Sequence, residues 1–146
     1  MSRESPARWW RLVGSKAGVI TLREYAKFCG PGTIAAVLGV SRTTAATRLL
    51  GVRGRDPYAC GGSWLAELTT VLRDAGRVTT GNSFRTQERP RVTVARWLRE
   101  HPRTAAVLAT HDHVLYVRDG AVVFDNRNAG STRCKVTEVL TLRRAE

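Results

Sequence analysis

The chain has 146 residues, 42% of them hydrophobic and 25% charged, a balance expected of a globular domain that builds its core without disulfide staples. No apolar run approaches the roughly 18 residues a membrane-spanning helix needs, and no apolar stretch follows the first charges, which argues against a membrane span and a secretory signal. The formal net charge is +12, from 24 basic residues against 12 acidic ones, and such a field favours polyanions: nucleic acid, an acidic protein surface or a larger nucleoprotein assembly.

In chain order, Ser5-Pro6 before Ala-Arg-Trp-Trp-Arg-Leu-Val predicts an N-cap, a proline at the first helical position and a short helix. Gly14 to Gly18 reads as a joint, and residues 19–28 as extended or irregular. Pro31 suits the first turn of a helix running to Leu38, with Gly39 as its stop. Ser41 caps a second helix, in which Ala45, Ala46, Leu49 and Leu50 share a face before Gly51 ends it. Glycines 51, 54, 61 and 62 with Pro57 make residues 51–62 a loop. A third helix, from Ser63 to Ala75, carries Trp64, Leu65, Leu68, Val71 and Leu72 as its buried stripe and stops at Gly76.

Residues 77–90 are polar, and Thr93 opens a helix that stops at His101-Pro102. Ala105–Ala109, His113–Arg118, Ala121–Asp125 and Lys135–Leu142 then read as strands, with Asp119-Gly120 as a hairpin turn. Helices first and antiparallel strands second predict an α+β fold in one domain of 1–146. Its parts are an N-terminal arm over 1–18, a helical half over 19–101 and a β half over 102–146.

The chemistry concentrates at two places. Cys29, in Cys-Gly-Pro-Gly, lies at a helix start, where backbone N–H groups and the positive end of the dipole stabilise a thiolate. Gly30 and Gly32 are expected to leave bare surface near the sulfur for a substrate backbone. His113 heads a strand whose alternation puts it on one face with Leu115 and Val117. With Asp119-Gly120 as the turn, Arg118 is expected opposite Ala121, Val114 opposite Phe124, and His113 opposite Asp125. A carboxylate there accepts from the ring and orients it, with Asn126 as the substitute if the register slips. A nucleophile, a base and an orienter are the three parts of thiol catalysis.

The remaining candidates have plainer roles. His111 is the rival base, on the face of His113 but beyond the strand start, and with Asp112 is read as rim. His101 is read as a solvated residue at a helix C-terminus. Cys60 and Cys134 are expected as reduced thiols; without a CxxC pair no cysteine-built zinc site is expected. His111, Asp112 and His113 lack a third ligand position for a metal, and no pattern calls for a cofactor.

Together these segments resemble the papain-like cysteine peptidases, and are similar in particular to the small bacterial and phage members near the bacteriocin-processing (C39-type) peptidases. The resemblance covers roughly residues 23–126: Cys29-Gly-Pro with its helix, Leu38-Gly-Val-Ser with the helix to Leu50-Gly, Gly61-Gly-Ser-Trp-Leu through Gly76, and His113 with Asp125. It implies a papain-like fold, helices packed on an antiparallel sheet, and a thiol peptidase or amidase acting on a peptide or protein substrate. Cys29 would be the nucleophile, His113 the general base and acid, and Asp125 the orienter. The family usually places an oxyanion-hole glutamine six residues before the cysteine. This chain has Arg23 there, so Arg23 and the Cys29 backbone N–H are the donors it offers. The resemblance also raises a catalytically inactive papain-like subunit of a nucleoprotein particle, and a location in the cytoplasm or packaged in a phage particle.

A rival pattern overlaps the first. Residues 33–50 fit a helix-turn-helix, with Gly39 in the turn and Arg42, Thr43, Thr44, Thr47 and Arg48 directed to DNA.

Overall fold

A computed structural model describes residues 9–11, 19–53, 65–78, 83–85, 91–110, 113–125 and 131–143. Cys60, Trp64, His111, Asp112 and Asn126 lie outside them, as does most of the expected loop over 51–62. The chain falls into two compact units, Met1–Val71 and Leu72–Glu146. Helices and antiparallel strands make an α+β protein. No helix among the described residues is long and apolar enough to cross a membrane.

In the first unit a strand lies at residues 9–11, within the segment expected as a helix. Strand β1 (Trp9–Arg11) pairs antiparallel with β2 (Val19–Thr21), Trp10 facing Ile20. Tryptophan and β-branched residues favour extended pairing, and a partner ten residues away outweighs the local Ser-Pro signal. Residues 22–25 also differ from expectation, forming the short helix α1 (Leu22–Tyr25). A capping box explains it: the Glu24 N–H donates to Thr21 Oγ1 at 3.1 Å, and the Glu24 carboxylate accepts from the Thr21 N–H and hydroxyl at 3.4 and 3.0 Å. Leu22 and Tyr25 are buried, and the Tyr25 ring meets Phe28 edge-on at 5.7 Å.

Phe28 is extended (φ −74°, ψ 163°), so α2 (Cys29–Leu38) starts with the cysteine as its first helical residue. Gly39 stops it in the left-handed region (φ 69°), its N–H and that of Val40 donating to the Ala35 carbonyl at 2.9 and 3.2 Å. Ser41 caps α3 (Arg42–Arg53), its hydroxyl accepting from the Thr44 N–H at 3.1 Å. Helix α3 runs through Gly51 instead of ending there. Val52 beyond it is buried, and that burial outweighs glycine's penalty of about 1 kcal/mol inside a helix. Ala45, Ala46, Leu49 and Leu50 are buried against a neighbour set that includes α2 and α1. Helix α4 (Leu65–Asp74) buries Leu68, Val71 and Leu72, and Gly76 (φ 76°) follows it, with the Arg77 N–H reaching back to the Leu72 carbonyl at 2.8 Å.

The second unit is built on a five-stranded sheet ordered β3-β7-β4-β5-β6, all pairs antiparallel: β3 (Ser83–Arg85), β4 (Ala106–Ala109), β5 (Val114–Arg118), β6 (Ala121–Phe124) and β7 (Glu138–Thr141). The expected strand from Lys135 shortens to Glu138, because Lys135 makes a single bridge to Thr93 before the ladder begins. Helix α5 (Val94–Glu100) has Thr93 as N-cap, its hydroxyl accepting from the Arg96 N–H at 3.2 Å. Val94, Trp97 and Leu98 pack on one sheet face with Ala106, Leu108, Leu115, Val117 and Val139. Leu115 faces Leu108, which faces Val139, so three strands contribute one apolar layer. That layer fixes which way the odd-numbered residues of β5 point, and hence His113.

Candidate functional site

His113 precedes β5 by one residue and continues the face of Leu115 and Val117. Its backbone is held firmly: its carbonyl accepts from the Thr110 N–H at 2.8 Å and the Thr110 hydroxyl at 3.3 Å. Thr137 braces the same end of β4, its hydroxyl within 3.1 Å of the Ala109 carbonyl and 3.3 Å of the Thr110 carbonyl, while its N–H donates to Ala109 at 2.8 Å. Neither threonine was singled out from sequence. A threonine bonding across a sheet carries no local pattern that would reveal it.

The His113 Nε2 lies 2.6 Å from Asp125 Oδ1. The two side chains are only 3% and 12% exposed, so the contact is shielded from water and its electrostatic component is strengthened. An ionised carboxylate only accepts, so the ring nitrogen donates. The neutral tautomer this selects carries its lone pair on Nδ1, the basic nitrogen of an oriented imidazole.

The register that delivers Asp125 is not the expected one. Arg118 does face Ala121, and Val117 faces Val122, but Tyr116 faces Phe124. Val114 therefore does not pair with Phe124, and His113 does not stand directly across from Asp125. A β-bulge puts one extra residue, Val123, into β6. Its physical effect is a change of face. Continued without a bulge, the Arg118–Ala121 ladder would set Asp125 across from Val114, on the side away from His113. The added residue turns Asp125 onto the His113 side, diagonal to the imidazole. Val123 itself is 45% exposed, as a residue displaced from the ladder at an edge strand can be.

Cys29 and Arg23 belong to the first unit. Cys29 is partly buried at the first position of α2, and like Cys134 it is a thiol, not half of a disulfide. Phe28, the N-cap, makes no side-chain capping hydrogen bond at the positive end of the helix beside the sulfur. Gly30 and Gly32 are buried, which corrects the expectation that they leave bare surface. Arg23 is exposed on α1.

Other candidates take structural places. His101 is the C-cap of α5; its N–H donates to the Trp97 carbonyl, its Nδ1 lies 2.9 Å from the same oxygen, and its ring stacks on Trp97 at 4.1 Å and 16°. Arg42, Thr43, Thr44 and Arg48 are exposed on α3 and Thr47 is half-buried. Among the described residues no three His, Cys, Asp or Glu side chains gather as a metal ion requires.

No family model, curated protein or solved structure matches the chain.

Proposed function

We propose that the protein is a thiol hydrolase of papain-like design, a cysteine peptidase or amidase, with Cys29 as nucleophile, His113 as general base and acid, and Asp125 as orienter. The observation that carries this reading is the 2.6 Å Nε2–Oδ1 contact between two nearly buried side chains, obtained through a bulge in an edge strand. A water-shielded imidazole held by a carboxylate in one tautomer is a costly arrangement for a purely structural role and a useful one for proton transfer. A cysteine at the first position of a ten-residue helix, beside the positive end of its dipole, supports the second half of the reading.

In this scheme Nδ1 of His113 takes the thiol proton, and the Cys29 sulfur attacks the substrate carbonyl carbon. The carbonyl electron pair moves to oxygen, giving a tetrahedral oxyanion for which the Cys29 N–H and the Arg23 guanidinium are the proposed donors. Collapse breaks the C–N bond, and the imidazolium gives its proton to the departing amine. Water, deprotonated by the same imidazole, then cleaves the thioester and restores the thiol. The scheme requires sulfur and imidazole to meet during turnover.

Incubation with a diverse peptide library, read by mass spectrometry, tests it. New termini should appear with the native chain and vanish with Cys29→Ala and with His113→Ala. Cleavage that persists in Cys29→Ala would exclude the thiol as nucleophile.

A further inference from the structure

Helices α2 and α3 form a unit with a use separate from thiol chemistry. They are joined by three residues, Gly39, Val40 and Ser41, with the glycine left-handed, and they pack on one another. A short glycine-containing turn between two packed helices is a feature of the helix-turn-helix, in which the second helix is offered to the major groove. The inner positions are apolar and buried: Ile34, Ala35 and Val37 on α2, and Ala45, Ala46, Leu49, Leu50 and Val52 on α3. The short helix α1 packs against α3 as well.

The outward side of α3 has a distinct chemistry. Arg42, Thr43, Thr44 and Arg48 are exposed, and no acidic residue occurs anywhere in the helix. A cation in the first turn opposes the dipole, and a helix without acids gains no ion pair between its own turns. For folding alone this pattern is unfavourable. Against a phosphate backbone it is complementary, and the +12 charge of the chain adds attraction at long range.

The hydrogen bonds divide the face further. The Thr47 hydroxyl donates to the Thr43 carbonyl at 3.0 Å, and Thr44 Oγ1 accepts from the Ser41 hydroxyl at 2.8 Å. Both threonines serve the helix itself. Arg42, Thr43 and Arg48 are exposed on the outward side.

We propose that the α2–α3 unit is a duplex DNA-binding surface, with α3 as the groove-facing helix and Arg42, Thr43 and Arg48 as its contacts. Fluorescence anisotropy of the full chain with a mixed-sequence duplex of about 20 base pairs, from about 50 to about 200 mM salt, tests it. Arg48→Ala and Arg42→Ala should each weaken binding roughly tenfold and flatten the logarithmic salt dependence by about one unit. Arg99→Ala and Arg118→Ala, exposed arginines of the second unit, should change it less than about twofold. Equal losses from both arginine pairs would overturn the proposal in favour of general charge attraction. Absence of duplex binding at the lower salt, or equal affinity for single-stranded RNA or an acidic polypeptide, would overturn it too.

Discussion

The Nε2 of His113 lies 2.6 Å from Oδ1 of Asp125, and the two residues share a face of the sheet only because Val123 is displaced from the β6 ladder. The contact is thus a product of backbone irregularity as much as of side-chain chemistry. It makes the hairpin between β5 and β6 a positioning device, with β5 anchored in the apolar layer and β6 free at the sheet edge to bulge.

Removal of the carboxylate should be felt by the fold. Asp125→Ala leaves a buried imidazole without its acceptor and is expected to cost about 1–3 kcal/mol, measured as a lowered urea midpoint at unchanged slope. The His113 ring nitrogens should also lose the signature of a single Nε2–H tautomer in nitrogen-15 spectra.

Deletion of Val123 separates the bulge from the core. The deleted side chain is exposed, so the apolar layer of Leu115, Val117 and Val139 should persist and the chain should fold. Removing the extra residue leaves a regular ladder in which Phe124 still faces Tyr116 and Asp125 follows across from Leu115, so the single-tautomer signature of His113 should persist. A folded variant that lost the signature would show that the kink of the bulge, and not only the face it selects, sets the contact.

Two glycines should respond in opposite directions. Gly39→Ala forces a side chain into the left-handed region at φ 69° and should destabilise by about 1–2 kcal/mol. Gly51→Ala places its methyl in open space on a continuous helix and should stabilise by up to about 1 kcal/mol. Thermal melts of both variants check the pair.

Thr137→Val should loosen the frame behind His113. It removes a hydroxyl that approaches two carbonyls, at a cost of about 1 kcal/mol read by urea titration. Faster amide exchange at Thr110 should accompany it, since Thr137 bonds that corner of the sheet.

Much of this was legible in the residues. Gly39 and Gly76 end their helices as glycine stops do, Thr93 and His101 bound α5, and Asp119-Gly120 closes a hairpin with both residues at positive φ. What was not legible depends on partners distant in sequence or on weak signals. The strand at Trp9 exists because residues 19–21 pair with it. Helix α1 follows from Thr21 and Glu24, a capping box spaced as such boxes are but attached to a single turn. The bulge at Val123 has no local mark, since valine suits a regular strand equally well. A regular ladder from the Asp119-Gly120 turn pairs Val114 with Asp125, so the expected pairing of Val114 with Phe124 does not follow from that turn, and Asp125 reaches the His113 face through the bulge instead.

The alkylation rate of Cys29 tests the coupling of thiol and imidazole most directly. Iodoacetamide near pH 6, followed by peptide mass spectrometry, should modify Cys29 at least about tenfold faster than an ordinary thiol titrating near 8.5, and faster than Cys134. His113→Ala should return the rate to the ordinary value. A Cys29 that reacts at the ordinary rate in the native chain, indifferent to His113→Ala, would contradict thiol catalysis by this protein.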